Sequence, residues 1–150
     1  MVTENHSLTV RKYEADTDYP LINDWWQARH GAMEDLPAGL LPPLGVVVED
    51  SQGPCFALWC YEAAGVGVAT LEYPVGRPGR NITEVREAFT RAVASITHLA
   101  GNCWNPPGEF TVFRANVCHA MLRAIEGLGF CREYPEERIP VMLNLSRQET

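Results

Sequence analysis

The sequence has no Cys-x-x-Cys pair, and its five cysteines, Cys55, Cys60, Cys103, Cys118 and Cys131, make an odd number. No His/Cys spacing matches a zinc site, so neither a disulfide framework nor a metal staple is expected. The thiols read as buried, reduced side chains of a cytosolic protein. Positive charge is also short: 12 Lys and Arg stand against 19 Asp and Glu, a net charge of −7. That balance argues against non-specific binding to nucleic acid or to an anionic membrane, and it favours the approach of a cationic partner. The opening Met-Val-Thr-Glu-Asn-His lacks the basic and apolar regions of a secretion signal. The longest apolar stretch, Cys55–Leu71, is cut by Glu62, Gly65 and Gly67 and cannot serve as a membrane helix. A cytoplasmic protein without membrane partners is expected. Internal repeats and low-complexity linkers are missing too.

What is present suits one globular domain over residues 1–150, with 46% hydrophobic and 21% charged residues. A chain of this length buries roughly 68–70% of its unfolded surface, enough to fold without covalent help. Leu8–Tyr13 alternates and predicts a half-buried strand. Asp16, Asp18 and Pro20 then open a helix in which Leu21, Ile22, Trp25 and Trp26 share a face. Gly31–Pro43, with two glycines and three prolines, reads as a loop holding at most one helical turn. Leu44–Glu49 predicts a buried strand and Ser51–Pro54 a turn. Cys55–Tyr61 and Val66–Val75 predict two more strands around a turn at Ala63–Gly65.

The second half turns helical. Ile82, Val85, Phe89, Ala92, Val93, Ile96 and Leu99 recur at steps of three and four, so Ile82–Ala100 predicts a long amphipathic helix. Asn81 suits its N-cap, with Glu84 placed to complete a capping box. Gly101–Gly108 predicts a break and Phe110–Arg114 a short strand. Asn116 is expected to cap a second helix carrying Val117, Ala120, Met121, Ala124, Ile125 and Leu128 on one stripe and ending at Gly129. Phe130–Tyr134 and Ile139–Leu145 predict a closing pair of strands.

This order, from an opening Leu8-Thr-Val-Arg-Lys-Tyr to a late Leu128-Gly129-Phe130, resembles the GNAT superfamily of acetyl-CoA-dependent N-acyltransferases over nearly the whole chain. Small divergent proteins of this kind are common in phage and prophage genomes, where a nucleotide or a host protein would be the acceptor. The resemblance implies an α/β (α+β) fold: a mixed, twisted sheet of six or seven strands flanked by helices. It also implies acetyl-CoA as co-substrate and an unidentified amine as acceptor, and a homodimer is compatible with it. In the family the diphosphate of CoA rests at the start of the long helix, where unpaired N–H groups and the helix dipole favour an anion. Here Val75, Gly76, Arg77, Gly79, Arg80 and Asn81 occupy that place. Asn116 joins them from the late helix. Free backbone near Tyr73–Val75 would hold the pantetheine arm like an added strand, beside a splay that Pro74 allows.

The departures from the family pattern lie in the same places. The loop does not fit the family's Gln/Arg-x-x-Gly-x-Gly/Ala run in any register, and Pro78 removes one amide donor. Glu84 would repel a phosphate. The tyrosine that commonly protonates the departing thiolate is replaced at its slot by Ile125, with Cys118, His119 and Tyr134 nearby in sequence. Glu72, late in the strand before the loop, is the candidate base, on a face opposite to Leu71 and Tyr73. No metal site is expected. Two functions stay open: an N-acyltransferase, or a binding module that keeps the fold without the reaction.

Overall fold

Residues 7–63, 66–102, 112–132 and 139–144 are described in the computed structural model. The alternating start forms β1 (Thr9–Lys12), and α1 (Ala15–His30) follows, its entry fixed by an ion pair rather than by a Ser or Thr cap. Asp18, buried in the first turn, accepts the Glu14 N–H at 2.8 Å and hydrogen bonds from both Arg11 Nη atoms at 2.8 and 2.7 Å. Glu49 holds Arg11 Nε at 2.7 Å, tying the helix entry to the next strand. The Gly/Pro stretch that follows carries a single 3-10 turn, Ala38–Leu40.

The strands β2 (Leu44–Asp50), β3 (Gly53–Ala63) and β4 (Val68–Gly76) form a meander beside β1. The runs Val46-Val47-Val48 and Cys55-Phe56-Ala57-Leu58-Trp59-Cys60 are apolar throughout because both faces of these strands are covered. Alternation sends Val46, Val48, Phe56, Leu58 and Cys60 to one core, and Val47, Ala57 and Trp59 to a second. The long helix α2 (Ile82–Asn102) packs Phe89, Val93 and Ile96 on the first core; α1 packs Ile22 and Trp25 on the second.

The remaining elements are β5 (Val112–Val117), α3 (His119–Glu126), β6 (Cys131–Arg132) and β7 (Ile139–Asn144). The seven strands lie in the order β1-β2-β3-β4-β5-β7-β6, and β4–β5 is the parallel pair among antiparallel ones. The sheet is thus mixed and flanked by helices, as expected.

Several boundaries differ from the sequence expectation: β3 begins at Gly53, inside the expected turn, and β4 at Val68 rather than Val66. The expected break begins later, because α2 runs on through Gly101 and Asn102. More consequentially, Asn116 does not cap a helix. Strand β5 continues through Ala115, Asn116 and Val117, and six consecutive register pairs from Val112↔Asn144 to Val117↔Ile139 hold it against β7. That ladder outweighs the local preference of Asn for a cap, and Val117 is buried from the strand instead of a helix stripe. Cys118 stands at the cap position of α3, without a side-chain bond. Ala64 and Gly65, the break residues 103–108, Phe110, Tyr134 and Leu145 lie outside the described residues.

Candidate functional site

At the middle of β4 the ladder to β3 slips. Trp59 pairs with Glu72 and Ala57 with Val75, so Tyr73 and Pro74 together oppose Leu58. This is a bulge with its extra residue in β4. Tyr73 takes up the strain with φ 53°, a left-handed conformation that costs a non-glycine residue about 1–3 kcal/mol. On its other edge β4 pairs with β5 only from Val68↔Val112 to Leu71↔Ala115. Beyond Leu71 the strands part: β4 stays on β3 and β5 stays on β7. Among the described residues, the β5-facing edge of Glu72–Gly76 has no ladder partner. Asn116 lies on the diverging part of β5, beside this wedge.

The bulge also corrects which side chains share a face. Leu71 belongs to the core under α2, whereas Glu72 stands directly across from Trp59 on the α1 side. Strict alternation would return Tyr73 to the Leu71 face. The inserted residue breaks the alternation, and Tyr73 packs on the α1 side with Trp26 at 6.0 Å between ring centres. Tyr61 approaches Tyr73 at 6.4 Å and donates its hydroxyl hydrogen to the Leu40 carbonyl. His30 lies 3.9 Å from Trp26. Glu72 thus stands at the mouth of the wedge with phenol and indole rings on its own face. Burial pushes its carboxyl above the usual range.

Behind Glu72 a row runs across the sheet. Trp59 pairs with Gly45, and the Gly45 carbonyl accepts the Tyr13 N–H at 2.9 Å. A Cβ on Gly45 would come within 2.5 Å of Trp59 Nε1, so only glycine leaves room for the indole. The Trp59 N–H has no acceptor among the described residues, and Tyr13 meets its ring edge-on at 4.9 Å. Past Tyr13 lies a cavity of about 460 Å³ lined by Tyr13, Asp16, Tyr19, Leu41, Pro42 and Pro43.

The start of α2 is arranged as expected in its cap and differently in its arginines. Asn81 Oδ1 accepts the Glu84 N–H at 2.9 Å and Glu84 Oε2 accepts the Asn81 N–H at 3.2 Å, a complete capping box. Arg77 is bound inside the protein by Asp50 at 2.6 Å and by the Pro54 carbonyl at 3.1 Å. Arg80 lies 3.6 Å from the same Asp50 carboxylate and 3.8 Å from Glu84. Burial alone would raise the Asp50 carboxyl; the hydrogen bonds from Arg77 and the Gln52 N–H, with the charges of both arginines, hold it below its ordinary value. Gly76 and Val75 end β4, with Val75 buried in the α1-side core, and Gly79 turns the chain at φ +82°.

Other expected chemistry is displaced. Ile125 is fully buried in the core, so α3 presents no phenol at that slot. Burial, helped by the charge of Glu62, pushes the Cys60 thiol up to about 12, and burial likewise raises Cys55. Both are inert packing groups. Cys118 and Cys131 are exposed and free, and His119 is exposed. No group of three His, Cys, Asp or Glu among the described residues could hold a metal ion. No helix among them is long and apolar enough to cross a membrane. Asp50 and Tyr61 were absent from the sequence expectations as site residues, whereas Trp26 entered them on the helix face it shares with Trp25. The alternation Trp59-Cys60-Tyr61 could have placed Tyr61 beside Glu72, but Asp50 read only as a turn residue.

By sequence, no protein-family model and no curated protein matches the chain. By structure, matches are many. The ribosomal-protein-S18-alanine N-acetyltransferase of Escherichia coli superposes with a TM-score of 0.64 at 16% identity, covering 93% of this chain and 94% of the other. AAC(6')-Ib, in complex with paromomycin and acetyl-CoA, gives 0.65 at 13% identity over 96% and 98%. The spermidine N-acetyltransferase SpeG of Vibrio cholerae gives 0.62 at 15% identity over 93% and 95%. The chain has the GNAT fold. Within a GNAT fold, the bulge of β4, the parting of β4 from β5 and the capped start of α2 are the parts that surround the wedge.

Proposed function

We propose that the protein is an N-acetyltransferase that moves acetyl from acetyl-CoA to a primary amine. The observation that carries this reading is the wedge: a bulged β4 whose outer edge has no ladder partner among the described residues from Glu72 to Gly76 while β5 turns away. A pantetheine arm is an extended chain with two amides, and an unpaired strand edge is the surface such a chain pairs with. Tyr73 and Val75 lie along that edge, Asn116 lies on the diverging part of β5, and Gly76, Gly79 and Asn81 lead from the edge to the start of α2. An inert binding module would have no need of the strain held at Tyr73.

In this reading the thioester carbonyl lies beside the bulge. The amine enters from the α1 side, past Tyr61, Tyr73 and Trp26. Glu72 takes the proton released as nitrogen bonds to the acetyl carbon, directly or through one water, and its raised pKa brings it nearer to the pH at which a base works well. A backbone N–H steadies the oxyanion. The thiolate then leaves and is protonated by solvent, since Ile125 supplies no phenol. Four free thiols among the described residues suit a cytoplasmic setting.

The test has two stages. Titration with acetyl-CoA should raise Tm in proportion to binding. Thiol release should then be followed with polyamines, amino acids, peptides and aminonucleotides as acceptors. Saturable binding and acceptor-dependent release are expected; no binding at millimolar acetyl-CoA would return the chain to the module reading.

A further inference from the structure

The arginines that lead into α2 are neutralised by the protein's own carboxylates. Asp50, with a side chain only 11% exposed, holds Arg77 and stands next to Arg80, whose side chain is 10% exposed and turned inward against the Cys55 thiol. Arg80 Nη1 is buried, without a hydrogen-bond partner among the described residues, so it is turned to the interior. Backbone donors are depleted as well. The Arg77 N–H is bonded to the Cys55 carbonyl at 2.9 Å, Pro78 has none, and the Asn81 and Glu84 amides are closed by the capping box. The Glu84 carboxylate, 48% exposed, sits within the first turn beside the remaining N–H groups. Two cations and two anions therefore meet at this helix start. A diphosphate would find little uncompensated positive charge there.

The pantetheine half of the site shows no such obstruction among the described residues. There the edge Glu72–Gly76 has no ladder partner, and Tyr73 is already held at the bulge with φ 53°. We infer that the protein recognises its acyl donor through the pantetheine arm and the thioester, with the diphosphate and nucleotide adding little, so that acyl-pantetheine thioesters as a class are donors. This inference rests on the acetyltransferase reading above.

The experiment compares kcat/KM for acetyl-CoA and for S-acetyl-pantetheine with the same saturating amine. A single charge-assisted hydrogen bond is worth about tenfold to a hundredfold. A diphosphate gripped by several would therefore make truncation cost more than a hundredfold. The two donors are expected to differ here by less than tenfold. Transfer from acetyl-CoA with a larger loss on truncation would overturn this inference alone, whereas silence with both donors and all amines would overturn the acetyltransferase reading with it. Two variants sharpen the result. Glu84→Gln keeps the cap hydrogen bond and removes its charge, and should raise the preference for acetyl-CoA about threefold or more. Asp50→Asn loosens both arginines and should raise it about tenfold. Because Glu84 is exposed, its variant will fold even if Asp50→Asn does not. An unchanged preference in Glu84→Gln would refute the claim that these carboxylates mask the helix start.

Discussion

On the α2 face of the sheet the buried surface is aliphatic and phenylalanine: Val46, Val48, Phe56, Leu58, Leu71, Phe89, Val93 and Ile96 close on one another. On the α1 face it is tryptophan and tyrosine: Tyr13, Tyr19, Trp25, Trp26, Trp59 and Tyr73 surround Ile22, Leu36 and Val75. The first face is closed by apolar groups, with the buried Arg80 Nη1 at its edge near Cys55. The second contains an unpaired indole N–H, a carboxyl raised by burial, a left-handed tyrosine and a cavity. The same seven strands thus carry a dry face that stores stability and an aromatic face on which the proposed chemistry rests.

The strongest way to break that comparison is Val93→Asp. Its side chain is fully buried on the dry face, and an unpaired charge there should cost about 3–5 kcal/mol, enough to unfold the domain. Circular dichroism of the purified variant decides it; a folded Val93→Asp protein would mean that face is less closed than described.

Glu72→Gln should act oppositely, sparing the fold and removing the reaction. Turnover should fall by about 10²–10⁴-fold with little change in donor affinity. The acidic limb of the pH–rate profile, which should lie above the range of an ordinary glutamate, should vanish. Stability should shift as well. A carboxyl whose folded pKa is raised contributes stability when protonated and loses it as pH rises through that pKa. At neutral pH, therefore, the glutamine variant should melt slightly higher than the parent. Full activity at every pH would leave Glu72 a structural carboxyl.

Gly45→Ala probes the row behind Glu72. The new methyl would meet the Trp59 indole at 2.5 Å, and overpacking of this kind costs about 1–3 kcal/mol. Denaturant melts should show that loss, accompanied by a change in Trp59 fluorescence if the indole is what moves. The smallest effect concerns Asp18. Burial opposes its charge, yet the bonds from Arg11 and the Glu14 N–H, with the charge of Arg11, hold its carboxyl below the ordinary value. Its contribution is present above about pH 4 and disappears as pH falls through the lowered value. In Asp18→Asn the decline of Tm between neutral and strongly acid pH should be shallower.

Much of the frame was legible in the residues. Apolar runs marked β2 and β3 because those strands are buried on both sides, and a period of three to four marked α2. Asn81 and Glu84 revealed their cap because its chemistry is contained within four residues. The bulge was only half legible. Pro74 signalled an interruption, but the turn of Tyr73 to the α1 face depends on a register shift against β3, which no local pattern encodes. Asn116 misled for a related reason: a favourable cap residue was recruited into a ladder with β7, a partner distant in sequence. The arginines pointed to an anion site, and a carboxylate far back in the chain, Asp50, already held them.

The parallel pairing of β4 with β5 has a consequence for assembly. Strands β1 to β4 neighbour one another in sequence order except for the α1 excursion, so their contacts close over comparatively short stretches. Strand β5 reaches β4 only after the whole of α2 has formed a crossover, and loop closure over such a span is entropically dearer. Among the described residues four register pairs, Val68 to Leu71 against Val112 to Ala115, join the two parts of the sheet there. The wedge begins where those pairs stop. A ligand seated in it would act as a splint across this short seam, binding the early and late parts of the chain together.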